Sequence, residues 1–548
     1  MKKFIFTILF LLAVTSHAQI STRQNPRSFS YKAVNTEYIN KLELSVPDIP
    51  SLLIKQEKES HKFKPQSCAV LIPVNESLFD RCQKISCGDA EIYLLKIHCE
   101  GALALNLYSD DFFIPQGGEL YLWNKDKSKC LGAFTCDNNT SDGRFATDYV
   151  YNDEMIIEYY RPLSVTQKAR LNIQKIGYFY RDVIDDEIPY KSGFNSAESC
   201  NVNVNCSEGN NFRNQQRAVV RMLIPINYYE AAWCSGTLIN NTANDKTPYV
   251  ISAAHCIEEV DNKSLLSQVV FSFNYESSGC DNVTREPKYQ TMEGCSLVSY
   301  GKRYGYGDTD YLLLRLNNNI PDSYGAYWAG WSTSDQAVSG AVCIHHPAGD
   351  LKKISTVDGA LQSMGYAKGI WDYNTHWMVK WKKTQHGYGV TQGGSSGGAL
   401  FNADGLIIGT LSGGESSCSA SDDNKVDWYG RFDVTFKEIK KWIDPDNYNY
   451  TYFAGMDCTD SASVAVTDSL KISLYPVPAK DNITVVTENM EQDGVLTVLD
   501  AMGRCWFSIE VTSEDNPIHI DISGLTAGAY YVRLYVKGNS VIEKFIVQ

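Results

Sequence analysis

The chain lacks an excess of positive charge. Its formal net charge is −14, and proteins that bind nucleic acid as their main partner meet phosphates with surplus Lys and Arg. Nucleic acid is therefore not expected as a partner, while basic substrates remain open. A second long apolar run is also missing. The single one, Phe4 to Val14, follows Lys2 and Lys3 and precedes the small residues Ser16 and Ala18. It is too short to span a bilayer comfortably and has the pattern of a signal peptide cut before Gln19. Residues 1–18 are thus predicted to be removed, leaving a soluble exported protein. No Cys follows the cut, which argues against a lipid anchor. Residues 19 to about 190 lack any acid–base or nucleophile set, and His98 there reads as a packed strand histidine. Residues 200 to about 455 lack helical periodicity apart from "TFKEIKKWI" at 435–443.

What is present is β pattern and cysteine. Apolar residues make up 43% and charged residues 21% of 548, as expected for folded material in two to four domains. "EIYLLKIHCEGALALNLYSDDF" and "GELYLWNKD" mark a β-rich first unit. "QRAVVRMLI", "PYVISAAHC", "SQVVFSFNY", "DYLLLRL" and "GLIIGTLSGG" are short strands at regular spacing, the signature of a sandwich or barrel. Residues 456–470 look like a linker, and 471–548 form a small unit of alternating strands. Sixteen cysteines in an exported chain suggest disulfides. Six fall between 68 and 136 and eight between 200 and 418, so a boundary between 136 and 200 leaves even counts on both sides.

The middle unit carries candidate chemistry. A serine hydroxyl needs a histidine to take its proton, a carboxylate to orient that histidine, and N–H donors aimed at the oxyanion. His255 ends an apolar strand in "VISAAHC". Asp310 opens another in "GDTDYLLLRL", with Asp308 as a competitor; Asp310 is preferred because it directly precedes the strand. Ser396 sits in "GGSSGGAL". There the glycines allow the N–H groups of Gly394 and Ser396 to converge on one point. His255, Asp310 and Ser396 are the predicted catalytic set, and Gly394 and Ser396 the predicted oxyanion hole.

With these motifs in view, residues 200 to about 450 resemble lysyl endopeptidase, a bacterial lysine-specific branch of the trypsin-like serine proteases. The resemblance runs through "CNVNVNCSEGNNFRNQQRAV", "CSGTLINNTANDKTPYVISAAHC", "TDYLLLRLNN", "WAGW", "IHHPAGD", "GVTQGGSSGGALF", "LSGGESSCSA" and "DWYGR". It implies a mainly β fold with a chymotrypsin-like double β-barrel and the site in the cleft between barrels. It also implies disulfides Cys200–Cys418, Cys206–Cys280 and Cys234–Cys256; Cys295 and Cys343 are left over, with a bond between them or two free thiols both open. Ordinary trypsins carry an Asp six residues before the serine, and here that position is Val390. The family instead puts its pocket carboxylate after the serine, where Asp427 stands. Gly413 and Gly414 are expected to offer backbone to the substrate as an added strand. The family's histidine before those glycines is Ser412 here, so no ring from that position stacks over His255. His345 and His346 lack a third metal ligand at suitable spacing and read as structural. No metal and no cofactor are expected.

The last unit, through "YPVPAKDNITV", "VLDAMGR", "ISGLTAGAYYVRL" and "KFIVQ", resembles the C-terminal sorting domain of the type IX secretion system. That implies partnership with the secretion machinery and a secreted or cell-surface location. The expected organisation is a signal peptide (1–18), a β-rich propeptide (19–191), a trypsin-like serine protease domain (192–456), a linker (457–470) and a sorting domain folded as a small β-sandwich (471–548). Lys191, nine residues before Cys200, is the predicted processing point, with Ser192 as the new N-terminus and the propeptide masking the cleft beforehand. The expected activity is a monomeric endopeptidase acting on proteins or peptides after lysine. The alternatives are cleavage after both Lys and Arg, an inactive protease-shaped adhesin, and a tail whose main role is surface binding.

Overall fold

The computed structural model describes residues 25–31, 38–59, 65, 67–180, 193–258, 260, 263–301, 308–365, 374–459, 470–490, 493–500, 505–536 and 539–548. The signal-peptide residues 1–18 and the predicted Lys191–Ser192 junction lie outside them.

The protein is mainly β, as expected. Its first barrel runs through Val219–Pro225, Glu230–Leu238, Tyr249–Ala253, Tyr311–Leu316 and Cys295–Tyr300, with Val270–Phe273 and Gln290–Glu293 on the other flank. Gln290–Glu293 passes into Cys295–Tyr300 through Gly294, whose φ of 81° suits a residue without a Cβ. The second barrel is a ten-stranded sheet that includes Lys353–Thr356, Val342–His345, Ala399–Phe401, Ile407–Gly414, Val426–Arg431 and His376–Lys380. These strands are buried over most of their length and alternate little, as expected where both faces are covered.

The predicted helix spans Phe432–Ile443, three residues earlier at its start than the pattern at 435–443 suggested. Phe432, Phe436, Ile439 and Ile443 recur at helical spacing and are buried, while Lys437, Glu438 and Lys441 stay exposed. The buried stripe packs on Trp331, whose ring centre lies 4.8 Å from that of Phe436. Each such side chain contributes roughly 1.5–3 kcal/mol on burial, so Ile439→Asp is the single change most able to undock the helix.

The final unit pairs a three-stranded sheet (Lys471–Tyr475, Asn482–Glu488, Ile518–Asp521) with a four-stranded one (Cys505–Val511, Gly494–Asp500, Gly528–Val536, Asn539–Val547) around one apolar core. Residues at the predicted start of the linker belong to the folded middle unit instead. Met456–Asp457 pairs with Tyr327–Trp328, and Asp457 accepts from Arg217 at 2.5 Å.

The N-terminal unit is not a separate body. Its strands split between a six-stranded sheet of its own and a twelve-stranded sheet shared with the first barrel. The join is Ser67–Ser77 against Glu230–Leu238, antiparallel, with Val70 opposite Glu230 and Ala69 opposite Ala231. One apolar cluster crosses the seam, holding Leu71, Tyr108, Tyr149 and Phe179 with Leu223, Ala231 and Trp233.

Cysteine usage departs from expectation. The three disulfides implied by the resemblance form: Cys200–Cys418, Cys206–Cys280 and Cys234–Cys256. Cys295 and Cys343 do not pair. Both are buried free thiols, one in the first-barrel core and the other in the second. Cys82, Cys87, Cys99, Cys130 and Cys136 of the N-terminal unit are free thiols as well, and that unit rests on its apolar core. His98 is not a packed core residue. It ends strand Ala90–His98, stays part-exposed, and meets Glu43 at 2.5 Å.

Candidate active site

The strand Tyr249–Ala253 turns at its end into a short 3-10 segment, Ala254–Ile257, which carries His255. Asp310 opens the neighbouring strand and holds that turn three ways. Its carbonyl accepts from the Ala254 N–H at 2.8 Å, its Oδ1 from the His255 N–H at 2.9 Å, and its Oδ2 from His255 Nδ1–H at 2.7 Å. Asp310 is fully buried and has φ 56°. A non-glycine residue in the left-handed region stores roughly 1 kcal/mol or more, which persists where surrounding contacts over-determine it. Asp308, its rival in sequence, makes none of these bonds. With Nδ1 tied to a carboxylate, Nε2 is the ring nitrogen left to accept a proton.

Ser396 comes to the same place through its backbone. Its carbonyl accepts from the Ser235 N–H at 2.8 Å and lies 3.9 Å from Sγ of Cys256, the residue after His255. Cys256 is tied to Cys234 on strand Glu230–Leu238, so the histidine turn and the serine loop share one support. Ser235 Oγ donates to the Gly394 carbonyl at 2.9 Å and accepts from the His346 N–H. Sequence reasoning missed Ser235, because a serine inside an apolar strand carries no local signal. Among the described residues neither Ser396 Oγ nor His255 Nε2 has a hydrogen-bond partner, and neither do the N–H groups of Gly394 and Ser396.

The glycines have steric work to do. A Cβ on Gly397 (φ 80°) would lie 2.1 Å from Ser252 Oγ, and one on Gly394 (φ 98°) 2.7 Å from the Gly349 nitrogen. The two adjacent serines have different tasks. Ser395 is buried; its Oγ accepts from the Gln392 N–H at 3.0 Å and donates to His345 Nδ1 at 2.7 Å. His345 Nε2–H then meets Ser355 Oγ at 2.9 Å. Burial pushes the His345 pKa down to about 3, so the ring stays neutral and structural. His346 Nδ1–H donates to the Asp350 carbonyl.

Asp427 lies on Val426–Arg431 and is fully buried. Its Oδ2 accepts from Trp381 Nε1 at 2.5 Å, Ser416 Oγ at 2.7 Å and Thr391 Oγ1 at 2.8 Å; among the described residues its Oδ1 accepts from the Ser416 N–H alone, at 3.3 Å. Burial raises its pKa above the ordinary carboxylate value, against the opposing pull of those donors. Gly414 stands opposite Asp427 in register, and a Cβ there would fall 1.5 Å from Oδ1. Gly413, opposite Trp428, follows a register shift that bends the strand. Asp422 and Asp423, the acidic neighbours, are exposed and pair with Tyr388 and Lys380. Ser412 Oγ meets His376 Nε2 at 3.3 Å. His376 is buried and neutral, with a pKa pushed down to about 3 by burial while the charge of Asp310 acts in the other direction. A histidine thus reaches Ser412 from Gln362–Met364's partner strand His376–Lys380, a contact that spacing does not reveal. Among the described residues, the two groups of possible metal donors each contain a disulfide, so their sulfurs are already committed.

Residues 194–430 match the family described as lysyl endopeptidase, C-terminal domain, and residues 473–548 match the secretion system C-terminal sorting domain. A lysyl endopeptidase of Pseudomonas aeruginosa PAO1 is 28% identical over 314 residues, 54% of this chain and 62% of that protein. The chain thus spans under two thirds of that relative's length. Among solved structures, an inactive mutant form and the active form of Rv3671c from M. tuberculosis H37Rv align at 14% identity. The inactive form has a TM-score of 0.27 and covers 44% of this chain and 93% of that one; the active form has a TM-score of 0.28 and covers 42% and 83%. Over residues 194–430 the chain is thus similar to the lysyl endopeptidase C-terminal domain, and over residues 473–548 to the secretion system C-terminal sorting domain.

Proposed function

We propose that the protein is a serine endopeptidase that cuts on the carboxyl side of lysine. Ser396 Oγ attacks the scissile carbonyl as His255 Nε2 takes its proton. Asp310 holds the ring tautomer and stabilises the imidazolium. The N–H groups of Gly394 and Ser396 receive the oxyanion. His255 then protonates the departing amine, and water repeats the sequence on the acyl-enzyme. The intact His255–Asp310 pair supports this over an inactive adhesin.

The observation that carries the specificity is the uneven occupation of Asp427. Three donors crowd Oδ2, while Oδ1 has one long bond. A guanidinium binds a carboxylate best through both oxygens at once. An ammonium is a compact point charge that needs only one. The socket therefore favours lysine over arginine. The sorting domain directs the protein to the cell surface or medium, with residues 1–18 as its signal peptide, 19–191 as a propeptide released by a cut after Lys191, and a linker before the tail.

The deciding experiment is digestion of a mixed peptide library by the secreted enzyme, tabulating the residue before each cut. Lysine at nearly all cuts supports the reading; equal lysine and arginine overturns the specificity. A fluorophosphonate that fails to label Ser396 overturns the serine mechanism. N-terminal sequencing tests the junction, which is wrong if the mature chain starts far from Ser192.

A further inference from the structure

The strand joining the N-terminal unit to the first barrel pairs with the same strand, Glu230–Leu238, whose Ser235 holds Ser396. Val70, Ala69 and Ser67 pair with Glu230, Ala231 and Ala232, and the Leu71 N–H donates to the Tyr229 carbonyl at 2.7 Å. Three residues past Ala232 is Ser235, whose N–H holds the Ser396 carbonyl. At about 3.3 Å per strand residue, the added strand ends roughly 10 Å along the strand from Ser235, the residue that holds Ser396.

The direction of catalysis says which half of the cleft this is. A lysine side chain at Asp427 fixes the acyl half of the substrate on the second barrel, along Gly413 and Gly414. His255 must hand its proton to the departing amine, so the leaving chain lies on the His255 side. That side is bounded by the Cys234–Cys256 disulfide and strand Glu230–Leu238. Among the described residues, no hydrogen bond or ion pair joins the N-terminal unit to Ser412–Glu415 or to Asp427.

The docking is built, not incidental. Trp233 lies between Tyr149 and Phe179 of the N-terminal unit (ring centres 6.1 and 6.2 Å away) and Arg221, whose guanidinium sits 4.3 Å from its ring. Lys129 of the N-terminal unit reaches into the first barrel, with Nζ 3.0 Å from Glu286 Oε2 and 2.9 Å from Tyr289 Oη. Tyr149 donates to the other oxygen of Glu286 at 3.0 Å, and Tyr289 donates to Asp148.

We propose that the N-terminal unit is a half-site inhibitor: its strand Ser67–Ser77 occupies the edge where the leaving-group side of a substrate chain would add, and leaves the lysine socket open. This rests on the protease reading above. An uncut precursor then rejects chains that continue past the scissile bond, yet accepts small lysine substrates with no chain there.

The test uses the full chain with Lys191→Gln, verified intact by mass spectrometry, beside the processed enzyme. One substrate is a blocked lysine 4-nitroanilide; the other is a ten-residue quenched peptide with lysine at its centre. The expected result is anilide hydrolysis within about threefold of the processed enzyme and peptide cleavage slowed about 100-fold, since a tethered strand competes at millimolar effective concentration. Adding Lys129→Met leaves Glu286 and Asp148 buried with Arg221 as their remaining cation, and should restore peptide cleavage at least about tenfold without changing the anilide rate. Equal suppression of both substrates, or of neither, overturns the proposal. Fluorophosphonate labelling separates the two readings: a processed enzyme that takes no label fails as a serine protease, whereas a labelled precursor with no substrate-length effect fails only the half-site idea.

Discussion

Replacing Asp427 by Asn tests the socket with little change of shape. Asn can keep its carbonyl oxygen toward Trp381 Nε1, Thr391 Oγ1 and Ser416 Oγ, so most of the bonds to Oδ2 survive. What is lost is the charge opposite a substrate ammonium. Removing one partner of a buried, hydrogen-bonded charge pair costs about 2–5 kcal/mol, which is about 30- to 5,000-fold in kcat/KM on lysine substrates at 1.36 kcal/mol per decade. Stability should move the other way. Burial raises the Asp427 pKa, and a carboxylate raised in the folded state costs stability as pH rises through its folded value. The Asn variant should therefore melt higher than the parent at pH 8 and equally at pH 3. The assays are anilide kinetics with lysine and arginine and a melting curve at both pH values. Asp423→Asn, on a side chain 92% exposed, is the control and should change neither. An Asp427→Asn enzyme that keeps its rate and its lysine preference would refute the socket, whatever its melting temperature.

Other outcomes follow from the same contacts. Ser416→Ala with Thr391→Val removes two of the three donors on Oδ2 and should raise arginine cleavage relative to lysine; an unchanged ratio counts against the single-oxygen argument. Asp310→Asn should lower kcat by about 10⁴-fold while substrate binding persists, because the ring loses its tautomer control. Breaking Cys234–Cys256, which spans 22 positions, should lower unfolding free energy by about 3 kcal/mol and lower kcat through the loosened His255 turn, both read on the double Cys→Ser variant. Glu293 is buried near Asp148 at the seam, and its pKa is pushed up to about 8, chiefly by burial. Its contribution is fully present below the ordinary carboxylate value and is lost as pH rises through 8. Glu293→Gln should thus raise the precursor's melting temperature at pH 9 and leave it unchanged at pH 4.

The candidate site residues were legible because their requirements are local. Ser396 needs glycines around it, and His255 needs a strand end with a neighbouring cysteine. Such patterns survive in a one-dimensional text. Asp427 was legible only through resemblance, since by spacing it is one acid in a loop with Asp422 and Asp423. What separates them is that the chain folds one inward and leaves two in water.

The sequence by itself determined an exported, mainly β chain with a candidate serine, histidine and carboxylate on three separate segments. Tertiary structure alone decided that Ser235 braces the serine loop, that Cys295 and Cys343 stay apart in two cores, and that the first unit shares a sheet with the first barrel. Those contacts join residues tens to hundreds of positions apart. Their energy comes from burying surfaces against each other, and no local pattern records which surfaces will meet.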